Sequence, residues 1–341
     1  GALVKTMSGL KQKSVLLAPT GRAAKVLSSY AGQQAFTIHK KIYRQDAFSN
    51  DLSAFHPSDN LHKDTLFIVD EASMISNQGI DSHYFGSGRL LDDLVHYVYS
   101  GENCRLMLMG DTAQLPPVMQ VESPALQADI LKGYNLQVDE IQLTEVVRQD
   151  LNSGILYNAT LLRDSLRNNR VEIYPKLTVK GFADIQMING SELIEAISNA
   201  YSKDGLDDTI VISRSNKRAN IYNNGIRNQI LYREEELSTG DRLMIVKNNY
   251  FWTRNNKEID FIANGEIVQV LRVRNESHVY GFRFCDVTVR FQDYDMELDI
   301  KILLDTLQTE APALPKEQND KLFYTILEDY QDISTKSGKM K

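Results

Sequence analysis

Two stretches decide the fold: Thr65-Leu-Phe-Ile-Val-Asp-Glu-Ala-Ser73 and Leu106-Met-Leu-Met-Gly-Asp-Thr-Ala-Gln-Leu-Pro-Pro-Val118. Each is a short apolar run that ends abruptly in acids and amides, which is typical of a buried parallel strand that delivers polar groups to one edge of a sheet. A third run, Ser14-Val-Leu-Leu-Ala-Pro-Thr20, is followed in the same way by Gly21 and Arg22. The three strand ends are predicted to converge on one crevice, where an open α/β sheet binds nucleotide.

Composition is that of a globular protein: 341 residues, 42% hydrophobic and 24% charged. The net charge of −7 argues against a chain coated in nucleic acid, although a groove can be basic inside an acidic protein. Cys104 and Cys285 lie far apart beside strand-like runs, which disfavours a disulfide framework or a thiolate metal cluster and favours a reducing cytoplasm. No apolar run approaches the roughly 18 residues of a membrane span, so no membrane partner is expected.

Helical and strand patterns alternate over residues 1–140, which predicts an α/β domain on a mostly parallel sheet. Apolar stripes predict three helices, carrying Leu3, Met7 and Leu10; Ala23, Ala24, Leu27 and Tyr30; and Leu90, Leu91, Leu94, Val95 and Val98. Gly101 follows the third helix, where a C-terminal cap glycine belongs. Residues 43–63 are polar and turn-rich, which indicates a short surface excursion.

The pattern changes twice after residue 140. Residues 141–235 form a second α/β segment, with helices predicted at 156–166, 192–201 and 216–231 and a strand at Thr209–Ser213. Residues 236–306 contain apolar runs separated by turn residues, which predicts an antiparallel meander or small barrel. Within residues 307–341, two prolines introduce a final helix that carries Leu322, Phe323, Ile326 and Leu327.

The acid pair Asp70-Glu71 fits the chemistry of a P-loop nucleotidase, in which one carboxylate holds Mg²⁺ while the second polarises the attacking water. The alternative is a helix N-terminus, where the macrodipole favours acids and Ser73 acts as a cap. Gln114, after the next strand, favours the catalytic interpretation, because an amide beside the same crevice can orient water against a terminal phosphate.

A phosphate site of this class needs a G-x-x-x-x-G-K-[ST] loop, and the sequence contains none. Gly338-Lys339 lacks the earlier glycine, and Gly86-Ser-Gly88 follows no strand, so both are interpreted as ordinary tail or turn glycines. Residues 1–7 have the pattern of the helix that follows a phosphate loop. We therefore expect the natural protein to extend upstream.

The motifs in order resemble those of superfamily 1 DNA helicases. Leu17-Ala-Pro-Thr-Gly-Arg-Ala-Ala-Lys25 resembles motif Ia, Val69-Asp-Glu-Ala-Ser73 motif II, and Gly110-Asp-Thr-Ala-Gln-Leu-Pro-Pro117 motif III. Thr37-Ile-His-Lys40 is similar to the threonine–histidine motif of the RecD-like, 5′-to-3′ branch, the exodeoxyribonuclease V alpha-subunit type.

The resemblance continues beyond these motifs. Residues 143–149 resemble motif IV, and residues 216–227, 240–244 and 264–265 resemble the second-domain and barrel pattern of that branch. The family's phosphate loop and its motifs V and VI are not found in the sequence.

The resemblance implies an α/β fold with two RecA-like P-loop NTPase domains, both incomplete, and a small SH3-like β-barrel inserted in the second. Residues 1–140 would be the first RecA-like domain, 141–235 part of the second, 236–306 the barrel insertion, and 307–341 a helical return segment and tail.

The resemblance also implies ATP and Mg²⁺ as cofactors. Asp70 would help to hold Mg²⁺, Glu71 would act as the water-activating base, and Gln114 would sense the terminal phosphate. Asp111 would belong to the nucleotide-binding set, and Arg148 would reach across from the second domain. Without the motif, a lone arginine such as Arg148 is more commonly a solvated surface residue.

A track for single-stranded DNA is implied beside this site, where hydroxyl and backbone groups hold phosphates. The resemblance assigns to it Pro19, Thr20, Arg22, Thr37 and His39. Tyr250, in the run Tyr250-Phe-Trp252, could stack on a base, although barrel core or a loop anchor is the commoner role for at least two of these aromatics. His39 would otherwise be a histidine at a helix start without a ligand.

The sequence thus predicts an ATP-dependent DNA helicase or translocase core that acts on single-stranded DNA in repair or recombination, with other subunits of a helicase–nuclease complex as candidate partners. These 341 residues alone are expected not to hydrolyse ATP, because the phosphate-binding lysine is missing. Two alternatives stay open: a non-enzymatic module that binds single-stranded nucleic acid or acts as a scaffold, and a P-loop NTPase of another class. The Pro-Thr-Gly-Arg and Thr-Ile-His segments count against the latter.

Overall fold

The computed structural model describes residues 1–45, 55–79, 86–144, 152–168, 174–246, 249, 252–253, 262, 264–291, 296–307 and 314–329. The chain divides into two compact units, Gly1–Gln186 and Met187–Lys341. This division is coarser than the four segments expected from the sequence, whose boundaries remain predictions.

Helices and strands alternate in the first unit, and the strands of the second unit come late in the chain. The helices are α1 (Ala2–Gly9), α2 (Gly21–Ala31), α3 (Ile38–Ile42), α4 (Leu90–Ser100), α5 (Ala128–Lys132), α6 (Gly154–Arg167), α7 (Leu193–Lys203), α8 (Asn216–Gln229) and α9 (Lys316–Asp329). The strands are β1 (Lys13–Ala18), β2 (Ala35–Thr37), β3 (Tyr43–Gln45), β4 (Phe55–Pro57), β5 (Thr65–Val69), β6 (Arg105–Leu108), β7 (Arg242–Met244), β8 (Ile267–Val279), β9 (Phe282–Phe291) and β10 (Glu297–Leu303).

A parallel sheet with the order β2-β1-β5-β6 forms the centre of the first unit. Leu17 pairs with Val69, and Val69 pairs with Leu108, so the carboxyl ends of β1, β5 and β6 are level. Successive strand residues face opposite sides. Leu17 and Val69 pack in the cluster that includes α3 and α4 residues, whereas Leu16 packs with residues of α1 and α2.

The predicted α/β class is confirmed: this sheet is typical of a RecA-like P-loop domain, and the second unit contributes an antiparallel sheet of half-barrel form. The β1, β5 and β6 strands predicted from the apolar runs are present. Their near-continuous apolar character follows from burial on both faces, with Leu16, Leu17 and Phe67 all 0% exposed.

Two predicted helix faces are wrong in part. The first helix buries Val4, while Leu3 and Leu10 are 38% and 72% exposed. The second buries Ala24, Leu27 and Ala31, and leaves Tyr30 77% exposed, because the stripe that faces the sheet follows the i, i+3, i+7 spacing.

The third predicted helix buries Leu91, Leu94, Val95 and Val98 as expected, but Gly101 is not a left-handed cap. Its φ is −80°, and the need for glycine comes from a close approach, since a Cβ there would lie 2.5 Å from Asn60 Nδ2. The Asn60 side chain instead caps the helix end by donating to Tyr97 O and Val98 O at 2.9 and 3.1 Å.

The described part of the excursion over residues 43–63 contains the antiparallel pair β3–β4. This short ladder joins Tyr43 to Pro57 and Gln45 to Phe55. The sequence analysis did not predict it, because three-residue strands carry too little apolar alternation to be recognised.

Helices α6, α7 and α8 confirm the three helices predicted within residues 141–235. The strand predicted at Thr209–Ser213 is wrong, because the structure has no strand there and Ile210 and Ile212 are 82% and 87% exposed. An apolar run forms a strand only where a neighbouring strand pairs with it, and none of the described strands does so here.

An antiparallel sheet with the order β10-β9-β8-β7 forms the core of the second unit and confirms the predicted meander. Tyr280 and Gly281 connect β8 to β9 with φ values of 56° and 78°, as a two-residue type I′ hairpin requires. Register shifts in β8 bend the sheet around a core in which Val268, Val270 and Val289 are 0% exposed.

The final predicted helix is present as α9. Among the described helices, none is both long enough and apolar enough to cross a membrane. Cys104 and Cys285 are both buried and both free, so no disulfide joins them.

Candidate functional site

The acid pair lies directly after β5, and backbone hydrogen bonds tie it to both neighbouring strands. The Asp70 N–H donates to Leu17 O at 2.9 Å, and the Ala72 N–H donates to Met109 O at 2.8 Å. Since Leu17 lies in β1 and Met109 follows β6, the ends of three strands meet at this point. Parallel strands place all three carboxyl ends at one edge of the sheet.

Glu71 adopts an unusual backbone conformation, with φ 55° and ψ 38° in the left-handed region. For a residue with a Cβ this conformation costs about 1–2 kcal/mol. The Glu71 N–H donates to Asp70 Oδ1 at 3.0 Å, and both side chains are half-buried. Local strain of this kind clusters at functional sites, because the surrounding structure must hold it in place.

A 3-10 turn, Ala72–Met74, follows Glu71 and is fastened to the segment beyond Gln114. Ser123 Oγ lies 2.8 Å from Ala72 O and 2.7 Å from Ile75 O, and shares its proton between these carbonyls. Within the same turn, Ser73 is 3% exposed and its hydroxyl has no partner among the described residues. A buried hydroxyl without a partner costs free energy.

The loop after β6 places Gln114 in a turn that Asp111 organises. Asp111 Oδ1 accepts a hydrogen bond from the Ala113 N–H at 3.0 Å, and Asp111 O accepts one from the Gln114 N–H at 3.0 Å. Gly110 permits the close approach of this loop to the acid loop, because a Cβ on Gly110 would lie 2.8 Å from Ser73 N. The Gln114 side chain is exposed.

The loops that carry Asp70, Glu71 and Gln114 are therefore in contact. Asp111 belongs to the same loop, but both of its carboxylate oxygens are engaged: Oδ1 in the turn and Oδ2 with Arg163 Nη2 at 2.7 Å. Sequence reasoning did not find Arg163, because it is one of several polar residues on α6 and belongs to no motif.

The motif Ia residues lie at the end of β1 and the start of α2. Thr20 Oγ1 accepts a hydrogen bond from the Ala23 N–H at 3.2 Å and caps the helix. Pro19 is half-buried, and Arg22 is exposed. All three residues lie at the same edge of the sheet as the acid pair, because β1 is parallel to β5.

Thr37 is the last residue of β2, the strand beside β1, and His39 follows in α3. Thr37 is 4% exposed, and its hydroxyl caps α3 by accepting from the Lys40 N–H at 3.2 Å. This burial favours a role in holding the start of α3 rather than direct contact with a phosphate. His39 is half-buried, with its ring centroid 5.7 Å from that of Tyr43.

Cationic groups accumulate around α3. The ammonium groups of Lys40 and Lys41 lie 5.9 and 5.6 Å from the centre of the Phe36 ring. Burial lowers the pKa of Lys41. Burial, together with the charges of Lys41 and Lys13, also lowers the pKa of His62, which indicates a positive local potential. A basic region is thus present within this acidic chain.

Two predicted site residues, Arg148 and Tyr250, lie outside the described residues. Trp252, two residues after Tyr250, is half-buried against the core of the second unit, and its backbone N–H donates to Asn249 Oδ1 at 3.2 Å. Trp252 thus packs as a barrel-core or loop-anchor residue would, and the expectation that at least two of the three aromatics do so stays a prediction.

The donor set at the acid loop fits Mg²⁺ bound together with phosphates. Mg²⁺ in nucleotide sites takes one or two carboxylates and completes its coordination with phosphate oxygens and water. Asp70 and Glu71 provide such carboxylates at the sheet edge. Across the described ranges, no group of three or more histidine, cysteine or acidic side chains could hold a metal ion by itself.

Comparison with known proteins assigns the chain to a family. A AAA domain family matches residues 1–177, more than half of the sequence. The chain belongs to the AAA domain family. The match covers every described residue of the acid loop, the Gln114 turn and α6.

The AAA domain chain is also similar to individual proteins. It is 26% identical over 286 residues to an uncharacterized protein of Acanthamoeba polyphaga mimivirus, covering 72% of the chain and 52% of that relative. It is 26% identical over 294 residues to the ATP-dependent DNA helicase dda of Enterobacteria phage T4, covering 81% of the chain and 62% of the helicase. It is 32% identical over 145 residues to the ATP-dependent RecD2 DNA helicase of Deinococcus radiodurans, covering 42% of the chain and 17% of that helicase.

The AAA domain chain therefore spans about half to two-thirds of the first two relatives and a smaller part of the third. These similarities support the superfamily 1 helicase resemblance of motifs Ia, II and III. They do not reach the finer assignment to the exodeoxyribonuclease V alpha-subunit type.

Proposed function

We propose that this chain is the core of an ATP-dependent DNA helicase or translocase of the RecD-like branch of superfamily 1, acting on single-stranded DNA. The observation that carries the proposal is the contact between the loops of Asp70-Glu71 and Gln114 at the carboxyl ends of β5 and β6. Two relatives named as ATP-dependent DNA helicases support it.

In this proposal Glu71 takes the proton of the attacking water, and its strained backbone fixes the direction of its carboxylate. Gln114 orients that water against the terminal phosphate of ATP, and Arg148 stabilises the charge that develops there. Mg²⁺, when bound, would be held by Asp70 and would neutralise charge on the phosphates.

The proposed DNA track runs along the sheet edge beside this site. Pro19, Arg22 and His39 contact the strand, Thr20 and Thr37 hold the helix starts that position them, and Tyr250 stacks on a base. The basic region around Lys40 and Lys41 supports this path, because cations beside a track attract the phosphate backbone. We place the protein in the reducing cytoplasm, in DNA repair or recombination, with other subunits of a helicase–nuclease complex as candidate partners.

Glu71→Gln tests the proposal in an ATP-hydrolysing protein that contains this chain. The substitution keeps size and hydrogen-bonding capacity but removes the base, so DNA-stimulated turnover should fall by a factor of about 10² or more. Salt-sensitive DNA binding should persist. Glu140→Gln, at an exposed acid of the same unit, is the matched control and should retain wild-type turnover. Retained turnover in Glu71→Gln would refute the assignment of the base.

A second candidate is a module that binds single-stranded DNA without hydrolysing ATP. The printed sequence contains no G-x-x-x-x-G-K-[ST] loop, and a module that does not hydrolyse ATP needs none. The two candidates differ in the wild-type protein that contains this chain, since only the first predicts ATP turnover that DNA stimulates. For the 341 residues alone we expect no turnover, and measurable hydrolysis that Glu71→Gln removes would contradict that expectation.

A further inference from the structure

Helix α6 contacts the Gln114 turn through one ion pair. Arg163, in the third turn of α6, lies 2.7 Å from Asp111 through Nη2 and Oδ2, although 52 residues separate the two in sequence. The side chains are 47% and 35% exposed, so the pair is partly shielded from water. A partly exposed pair of this kind contributes about 0–1 kcal/mol to stability.

Asp111 is the residue through which this contact reaches Gln114. Its Oδ1 accepts a hydrogen bond from the Ala113 N–H at 3.0 Å, and its backbone carbonyl accepts one from the Gln114 N–H at 3.0 Å. With Oδ2 bound to Arg163, the carboxylate cannot rotate freely, because each oxygen has a separate partner. A displacement of Arg163 therefore acts on the turn that carries Gln114.

The other end of α6 is firmly anchored. Ser153 caps the helix by accepting from the Leu156 N–H at 3.2 Å. Asp184 accepts from Ser153 Oγ at 2.7 Å and from the Gly154 N–H at 2.8 Å. The Ser153 hydroxyl and then the Gly154 N–H lower the pKa of Asp184, so this carboxylate stays charged on the helix N-terminus.

A further pair of hydrogen bonds anchors α6 one turn beyond its N-terminus. Asn158 donates to Thr178 O at 2.9 Å and accepts from the Thr178 N–H at 2.7 Å. Asn158 is 5% exposed, so this pairing is buried. The helix is thus held at its start by residues 178–184, and Arg163 projects from it about 14 Å beyond Gly154 at 1.5 Å per residue. A rigid helix carries any movement of that anchored end to Asp111.

We propose that Arg163 is a positioning residue that couples α6 to the Gln114 turn. The inference rests on the proposed function for its catalytic consequence, but the coupling itself is a property of the described residues. Loss of the guanidinium releases Asp111 Oδ2 and loosens the turn, so Gln114 no longer holds the attacking water in line. Nucleotide affinity is expected to stay unchanged, because the guanidinium of Arg163 is bound to Asp111 and acts through it.

The chain offers a matched control. Arg167 lies one turn beyond Arg163 on the same helix, is exposed, and forms no ion pair with any residue that the structure describes. Arg163→Gln and Arg167→Gln therefore remove the same charge from the same helix, and only the first removes the contact with Asp111. Arg163→Lys keeps a cation within reach of the carboxylate.

Hydrogen exchange on the chain tests the coupling directly. In Arg163→Gln, the Ala113 and Gln114 amides should exchange about two- to fivefold faster, as expected for a partly exposed ion pair. Arg167→Gln should match the wild type, and Arg163→Lys should lie closer to the wild type than Arg163→Gln. Unchanged exchange in Arg163→Gln, or equal acceleration in Arg167→Gln, would overturn the proposal.

Kinetics test the catalytic consequence in an ATP-hydrolysing protein that contains the chain. For Arg163→Gln we expect kcat to fall about tenfold with the KM for ATP within about twofold, and Arg163→Lys should recover part of the loss. A raised KM with unchanged kcat would mean that Arg163 binds ATP itself, and would refute a positioning role. If DNA did not stimulate ATP turnover in the wild-type protein, the proposed function would fail, while the exchange result would still decide the coupling.

Discussion

At the scale of single residues, Glu71 combines a proposed chemical role with an unfavourable backbone. Its φ of 55° lies in the region that glycine occupies without penalty, and the residue is held there by its place between β5 and the Ala72–Met74 turn. No sequence pattern signals this conformation, since glutamate rarely adopts it. The acid pair was recognisable from its position after an apolar run, but the strain became visible only in the structure.

Glu71→Gly should stabilise the fold while it removes activity. Glycine relieves the left-handed strain but adds freedom to the unfolded chain, so the net gain in the free energy of unfolding should be about 0.5–1 kcal/mol. Glu140→Gly, at an exposed residue without positive φ, should bring no gain. Chemical denaturation measures both. A loss of stability in Glu71→Gly as large as that in Glu71→Ala would contradict the strain argument.

Two buried serines beside the site should respond in opposite directions. Ser73→Ala removes a buried hydroxyl that has no partner in the described part of the chain, and should raise the free energy of unfolding by about 1 kcal/mol. Ser123→Ala deprives Ala72 O and Ile75 O of their donor, and should lower it by about 1–2 kcal/mol. Thermal or urea unfolding of the two variants measures these changes. A change of the same sign in the free energy of unfolding of both variants would contradict the prediction.

At the scale of elements, Asp241 joins α8 to the start of the antiparallel sheet. Its Oδ1 accepts hydrogen bonds from Arg227 Nε at 3.0 Å and from Arg233 Nη1 at 2.7 Å. Its Oδ2 accepts hydrogen bonds from Arg227 Nη2 at 2.9 Å and from the Ser238 N–H at 2.7 Å. Gly240 has φ 87°, and a Cβ there would lie 2.8 Å from Arg233 Nη2. Two segments that carry the helicase resemblance, 216–227 and 240–244, thus meet at one carboxylate.

Asp241→Asn should lower the free energy of unfolding by about 2–3 kcal/mol at neutral pH, because it leaves two half-buried guanidinium groups without their buried charge partner. Burial alone would raise the pKa of Asp241, but the hydrogen bonds from Arg227, Ser238 and Arg233 outweigh it and lower the pKa. The unfolded chain therefore binds more protons. The stabilisation is complete above the ordinary aspartate pKa of about 3.9 and is lost as the pH falls through the lowered pKa.

Denaturation curves of the wild type and Asp241→Asn between pH 7 and 2 measure this difference. The difference in the free energy of unfolding between the two proteins should shrink only at acidic pH. Asp207→Asn is the control, since its side chain is 75% exposed in its pair with Arg242 and its loss should cost less than about 1 kcal/mol. A difference between wild type and Asp241→Asn that did not depend on pH would contradict the assignment.

The elements also show how far sequence reasoning reached. Apolar periodicity predicts strands β1, β5 and β6 and helices α4 and α6 to α9. The residues that an element buries in the core recur with the period of that element, so the pattern is visible in the sequence. The strand expected at Thr209–Ser213 failed, since the same periodicity does not specify a pairing partner. The buried face of α2 includes Ala31 in place of Tyr30, the residue that the sequence predicted. Small residues let a helix approach the sheet closely, whereas a long aromatic side chain tolerates exposure.

At the scale of the whole molecule, the first unit contains the acid pair, the Gln114 turn and the basic region, while the second contains the antiparallel sheet. The motif order predicts that Asp70, Glu71 and Gln114, whose loops are in contact, belong to one site. It was insufficient to find Arg163 or the burial of Thr37, because tertiary contacts between distant segments leave no periodic signal.

The proposed function requires Asp70 to hold a metal ion beside both Glu71 and the Gln114 turn. Iron(II) bound in place of Mg²⁺, with ATP, reduces added hydrogen peroxide to hydroxide and a hydroxyl radical that cuts the backbone nearest to the metal, and ascorbate reduces the iron(III) back to iron(II). In an ATP-hydrolysing protein that contains this chain, we predict ATP-dependent cuts at residues 70–72 and 110–114, both lost in Asp70→Asn. Cuts confined to other segments, or cuts at these positions that persist in Asp70→Asn, would contradict the account.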